Sequence, residues 1–209
     1  MILYDCTTAP SPRRVRMFFA EKKLDVEMRT IDLRHNEHFG SYYVTINPDM
    51  TVPVLALNDG TRLTDIVGIC RYVEEVTPYP PLFGASVIEK AQVDGWQRWC
   101  DREGFYAVTD AFRNSTPGLK RRALPGPFAY DQIPALAERS RDRIEHFFVR
   151  LDAQLGNGSY VAGDNFSIAD ITAFVTIEFA GWIKISPDTG HSNLQRWLEQ
   201  IRQRPSAKV

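Results

Sequence analysis

Residues 47–63 read N-P-D-M-T-V-P-V-L-A-L-N-D-G-T-R-L. Asn47-Pro48 ends whatever precedes it, because a residue before proline is pushed out of the helical region. Val52 to Leu57 is a strongly apolar strand, and Asn58-Asp59-Gly60-Thr61 is a turn that returns the chain into Arg62-Leu63. The segment therefore reads as a β-hairpin. Downstream, Ile66, Ile69, Val73 and Val76 recur at helical spacing from Asp65 to Val76. Upstream, Ile2-Leu3-Tyr4 is a short buried strand ended by the proline-broken stretch Asp5 to Pro12. A helix follows, with Ser11 as its cap, Pro12 at its first position, and Val15, Phe18, Phe19 and Leu24 as its apolar face. Val26 to Leu33 alternates weakly as a second strand, and His38 to Ile46 is a short helix or an irregular turn. The predicted order is β-α-β-α-β-β-α.

Thr77 to Ser86 holds three prolines and a glycine, a stiff stretch suited to a domain boundary. Beyond it strand signals vanish. Helical patterns run from Val87 to about Asn114 and from Pro134 to about Leu155, separated by a long loop over 116–133. Ser167-Ile168-Ala169-Asp170 opens another helix with a hydroxyl cap and an acid three residues on, and Phe166 can staple onto Ile171. Leu194, Trp197, Leu198 and Ile201 mark the last helix.

The 209 residues carry 25 basic and 26 acidic side chains, a net charge of −1. The signs are well mixed, so the basic stripe that phosphate-backbone binding requires is absent, and nucleic acid is not an expected partner. Met1 to Tyr4 runs straight into a strand without a secretion signal, and no apolar run approaches the ~20 residues that span a bilayer. A soluble, cytoplasmic protein with no membrane partner is expected. Cys6, Cys70 and Cys100 are too few and too scattered for a disulfide framework, and no Cys/His spacing suggests a metal site.

This order of elements, with Thr51-Val52-Pro53 opening the third strand, resembles the cytosolic glutathione transferases over essentially the whole chain. The resemblance rests on Ser11 to Lys22 (S-P-R-R-V-R-M-F-F-A-E-K), the Asn47-Pro48 and Val52-Pro53-Val54-Leu55 block, Leu63 to Tyr72, and Phe166 to Ile171 (F-S-I-A-D-I). Phe112 to Leu119 (F-R-N-S-T-P-G-L) is similar to a fungal and bacterial subgroup that works without the usual catalytic serine, tyrosine or cysteine. The resemblance implies an α/β plus all-α fold: a thioredoxin-like domain over 1–77, a linker over 78–86 and an all-helical domain over 87–209. It also implies glutathione as co-substrate with no separate cofactor, a homodimer, and detoxifying attack of the glutathione thiolate on small hydrophobic electrophiles or peroxides.

In a resembling fold the sulfur lies at the N-terminus of the first helix, here near Pro10 to Arg13, where free N–H groups and the helix dipole favour an anion. The position of the family's catalytic serine or cysteine falls on Ala9, so Thr7, Thr8 and Ser11 are the candidate catalytic side chains. A plain helix cap is the alternative role for Ser11. The resemblance implies a cis Pro53, with Val52 N–H and C=O holding the cysteinyl unit beside Thr51, and a trans proline beginning an edge strand is the alternative. The γ-glutamyl end implies Asp65 and Ile66. Asp65 keeps the family's charge with one methylene less reach, or else only complements the helix start. Ile66 replaces a serine and loses a hydroxyl bond worth on the order of 1.5–3 kcal/mol. For the glycine carboxylate the implied ligand is His38, where the lysine expected beside it is Phe39 and Arg34 or His35 could compensate.

The second substrate is expected between the domains, against the helix from Val87 onward, where Tyr106, Asp110 and Arg113 follow an i, i+4, i+7 row beside Thr109. An Asp110–Arg113 surface pair is the alternative reading of that row. A binding or scaffold protein with little turnover is the second functional reading, suggested by Ala9 and Ile66. A redox enzyme built on Cys6 is the third.

Overall fold

The computed structural model describes all 209 residues. They divide into two compact units: residues 1–80 with 124–129 and Val209, and residues 81–123 with 130–208.

In the first unit, β1 (Ile2–Asp5), α1 (Pro10–Glu21), β2 (Glu27–Thr30), α2 (Ser41–Ile46), β3 (Val54–Ala56), β4 (Arg62–Leu63) and α3 (Ile66–Val76) follow in the predicted order. A 3-10 turn over Glu37–Phe39 precedes α2. The second and third strands are shorter than the predicted segments 26–33 and 52–57, because only Glu27–Thr30 and Val54–Ala56 find ladder partners. Strand order is β2-β1-β3-β4, with β1 parallel to β2 and antiparallel to β3. Consecutive strand residues face opposite sides of a sheet. Tyr4 and Val54, paired in register, join Ile31, Tyr43 and Ile46 in one buried cluster. Leu3 and Leu55, the neighbouring pair, are fully buried on the other face. α1 packs on α3, and Val15, Phe18, Ile69 and Val73 are fully buried.

Lys22 closes this unit. Its enclosed ammonium pairs with Glu74 at 2.6 Å and donates to the carbonyls of Thr77 (2.8 Å) and Pro80 (2.6 Å). Thr77 is the C-cap of α3, so a cation sits where the helix dipole is negative and ties the end of α1 to the end of α3.

The second unit holds α4 (Val87–Trp99), α5 (Tyr106–Ser115), α6 (Pro134–Leu155), α7 (Ile168–Ala180) and α8 (Ser192–Arg202). The sequence predicts one helix from Val87 to about Asn114, but residues Cys100–Phe105 widen into a π-helical segment between α4 and α5. Gly104 lies within this segment. A Cβ there would lie 2.7 Å from Phe147 Cε2, so the missing side chain admits a ring that also stacks on Trp99 at 5.0 Å. α7 is central: every residue except Glu178 is buried, as a mostly apolar sequence with no polar face requires. Ser167 and Asp170 form the expected capping box. Asp170 is fully buried and accepts from Val161 N–H (3.0 Å), Ser167 N–H (3.0 Å), the Ser167 hydroxyl (3.1 Å) and the Trp197 indole N–H (2.9 Å). No helix is long and apolar enough to cross a membrane.

Candidate functional site

Sheet register gathers the N-terminal candidates at one end. Asp5, the last residue of β1, lies beside Thr30, the last of β2. Val54, the first residue of β3, lies within the same pairing beside Tyr4, and Leu63, the last of β4, beside Leu55. The segments leaving or entering the sheet there are Cys6–Ala9, the loop with His38, Thr51–Pro53 and Thr64–Ile66. Ligand sites of open α/β sheets form outside such carboxyl ends.

α1 starts two residues earlier than the sequence suggests. Its N-cap is Ala9, which makes no side-chain cap bond, and Pro10 is the first helical residue. Ser11 is therefore an internal second-position residue, and the cap role expected of it is corrected. Pro10 fits the first position as well as Pro12 would, since both prolines pre-set the helical φ. The consequence is chemical. Neither proline has an N–H, and Arg13 N–H bonds Ala9 O at 3.3 Å, so Ser11 supplies the unspent N–H of this first turn. Thr7 and Thr8 are exposed, and the Thr8 hydroxyl lies 3.5 Å from the sulfur of buried Cys6.

Behind this loop lies Arg16, which the sequence does not single out. Its Nη1 donates to Asp5 Oδ1 at 2.6 Å and to Cys6 O at 3.3 Å, and its Nη2 donates to Thr7 O at 3.0 Å. Guanidinium and carboxylate are both buried, with side-chain exposures of 9% and 2%.

Thr51 is pinned in a similar way. Its carbonyl accepts from the Tyr43 hydroxyl at 2.6 Å and from Asn47 Nδ2 at 2.9 Å, and Asn47 also reaches its hydroxyl at 3.0 Å. Burial pushes the Tyr43 phenol well above its ordinary pKa, so it stays a donor. The Thr51–Val52 peptide is trans, whereas Val52–Pro53 is cis, as the resemblance implies. In a planar trans peptide N–H points opposite to C=O. The bonds on Thr51 O thus turn Val52 N–H away from Tyr43 and Asn47, outside the ladder that begins at Val54.

Asp65 is the N-cap of α3 and its Oδ1 accepts Gly68 N–H at 2.7 Å, so at least one oxygen performs the capping role. Ile66, half-buried, begins that helix. His38 sits in the 3-10 turn with its ring 4.0 Å from that of Phe39. His35 is exposed and bonds Asp32 at 2.7 Å, which raises the imidazole pKa.

The candidates of the second unit share α5. Tyr106 is exposed, and the Thr109 hydroxyl is spent on Phe105 O at 2.8 Å. Burial raises the Asp110 carboxyl pKa, against the pull of Arg143 and Arg139, and its ion pair is with Arg143 at 3.9 Å. Arg143 also reaches Glu103 at 3.3 Å, so α6 supplies the cation that links both acids. The guanidinium of Arg113 is lowered in pKa by burial and by nearby Arg122.

A four-stranded mixed sheet flanked by helices, with a cis-proline entering its third strand and an all-helical unit after it, defines a thioredoxin-like domain joined to a transferase-type helical domain. The family profile described as "Glutathione S-transferase, N-terminal domain" matches residues 8–76, and "Glutathione S-transferase, C-terminal domain" matches residues 117–205. Glutathione S-transferase 2 of Saccharomyces cerevisiae is 34% identical over all of this chain and 88% of its own length. A glutathione S-transferase domain-containing protein of Marinobacter aquaeolei VT8 superposes with a TM-score of 0.91 at 31% identity, covering 99% of both chains. Gtt2 from Saccharomyces cerevisiae gives 0.90 at 34%, covering 100% of this chain and 99% of its own. The chain belongs to the glutathione S-transferase family.

Proposed function

We propose that this protein is a glutathione transferase whose bound thiolate attacks a small hydrophobic electrophile or a peroxide. The observation that carries this reading is the Thr51 carbonyl pinned by Tyr43 and Asn47, which displays Val52 N–H at the sheet end where α1 and α3 begin. The cysteinyl unit of glutathione pairs with Val52 N–H and C=O like an added strand. Its γ-glutamyl carboxylate meets the N–H of Ile66 at the start of α3, and its glycine carboxylate meets His38. That binding leaves the sulfur beside Ala9 and Ser11. No hydroxyl stands at Ala9, so the thiolate is stabilised by the α1 dipole, Ser11 N–H and the hydroxyls of Thr7, Thr8 and Ser11. The thiol proton leaves to solvent. The sulfur electron pair then forms the new bond to carbon as the leaving group departs with its own pair, or bonds the hydroxyl oxygen of a peroxide to give a sulfenic acid while the O–O pair leaves on the other oxygen, which takes a proton from solvent.

The second substrate is assigned to Tyr106, Thr109, Asp110 and Arg113 on α5, and the working location to the cytoplasm. Val87 and Ile88, 85% and 72% exposed in the first turn of α4, favour a homodimer that covers them. A binding or scaffold role with little turnover is the second reading. It is favoured by Asp65 already bonding Gly68 and by Ile66 lacking a hydroxyl. Calorimetry with glutathione and steady-state turnover of an aromatic halide decide. Saturable binding with turnover is expected; binding without turnover establishes the second reading, and no binding refutes both. Light scattering is expected to give a dimer at micromolar concentration.

A further inference from the structure

We propose that Arg16 is the positioning residue for thiol activation: it turns the peptide N–H groups of Thr7 and Thr8 toward the sulfur site and so makes up for a helix start depleted of donors. The proposal rests on the glutathione-transferase reading above. The depletion comes from the sequence itself. An ordinary helix N-terminus offers several unpaired N–H groups to an anion, but Pro10 and Pro12 remove two of them. One more, Ala9 N–H, is spent on Cys6 O at 3.0 Å.

The missing donors come from the loop before the helix. Arg16 donates to Cys6 O and Thr7 O at 3.3 and 3.0 Å. Both peptides are trans, because the chain's cis bonds lie at Val52–Pro53 and Tyr79–Pro80. In each planar peptide the N–H points opposite to the carbonyl. The carbonyls of Cys6 and Thr7 face the buried guanidinium, so the N–H groups of Thr7 and Thr8 face the other way, on the side where both threonines are exposed. Successive N–H groups turned to one side make an anion-binding concavity. Asp5 holds Nη1 at 2.6 Å and balances the charge of the buried cation, but takes no part in the two carbonyl contacts. The planar fork is what the task needs: one nitrogen serves Asp5 and Cys6, the other Thr7, and a lysine ammonium lacks that spacing.

The test is a pH–rate profile at saturating glutathione, together with ultraviolet titration of the bound thiolate in the absence of electrophile. Cys6, His38 and Asp65 lie at the same end of the sheet and are kept in every variant, so differences between variants report the loop. Arg16→Lys keeps a cation for Asp5 and is expected to raise the pKa of the bound thiol by about one unit, lowering turnover about tenfold below that pKa and restoring it at high pH. Asp5→Asn keeps an acceptor for Nη1 and both carbonyl contacts, and is expected to leave the thiol pKa unchanged or lower. Should Arg16→Lys fail to melt cooperatively, Asp5→Asn/Arg16→Gln buries no unpaired charge and is expected to show the same upward shift. An Arg16→Lys profile that superimposes on wild type overturns the proposal, as does an Asp5→Asn shift of equal size. Wild-type protein that does not bind glutathione in calorimetry overturns the underlying reading instead.

Discussion

Removing the carboxylate of Asp170 should unlock the helical unit. Asp170→Ala leaves Val161 N–H, Ser167 N–H and the Trp197 indole N–H without their acceptor in a fully buried site. The Ser167 hydroxyl can rotate to another acceptor, but the other three donors are fixed. Each buried donor left unsatisfied costs roughly 1–3 kcal/mol, so three of them amount to roughly 3–5 kcal/mol even after partial relaxation. That is a large share of the ~5–15 kcal/mol of a typical domain. The same site carries a pH signature. Burial pushes the Asp170 carboxyl up to about 6, with the four donors pulling it back. Its folded pKa is thus above the unfolded value of about 3.9. A raised carboxyl favours the protonated folded form, so its contribution is full below about pH 4 and is lost as pH rises through about 6. The loss approaches about 3 kcal/mol for a two-unit shift. Urea denaturation of wild type and Asp170→Asn across that range, compared as a difference, isolates it from other carboxylates. A flat difference between pH 4 and 7, or an Asp170→Ala loss below about 1 kcal/mol, would refute the reasoning.

Ile66→Ser should tighten glutathione binding roughly tenfold by calorimetry, because it restores a hydroxyl at the start of α3; unchanged affinity would mean another group already holds the carboxylate. Thr7→Ala, Thr8→Ala and Ser11→Ala should each lower turnover by less than about tenfold, since backbone donors and the dipole share the thiolate. A loss of about a hundredfold in one of them would make that hydroxyl the activator. Lys22→Met removes the 2.6 Å ammonium contact of Glu74 and the donor to the carbonyls of Thr77 and Pro80. It should cost about 3–5 kcal/mol in urea denaturation, and Lys22→Met/Glu74→Gln should recover part of that. A double variant no more stable than the single one would show that the buried charges are not coupled.

Much of the fold was legible because its signals are short-range. The Asn58 to Thr61 turn, the periodic apolar residues of α3 and the Ser167–Asp170 box each specify local geometry within a few residues. The proline-glycine composition of 77–86 does the same for the change from mixed to helical structure. The cis bond at Val52–Pro53 was expected only through the resemblance to the glutathione transferases, since X-Pro bonds are mostly trans. Tertiary structure decided what depends on partners far along the chain. Pro10 and Pro12 were both compatible with a helix start, and the folded loop placed Ala9, not Ser11, at the cap. Asp110 had an acceptable partner in Arg113 three residues away, yet the packing of α6 against α5 brought Arg143 to it. Phe147 packs against Gly104 within a π-helical segment of which the periodicity gave no sign. Arg16 reached Asp5, Cys6 and Thr7 only once β1 and α1 were packed. Periodicity, caps and turns are written in neighbouring residues, whereas which buried donor meets which acceptor depends on how the elements pack, and that is settled only in the folded chain.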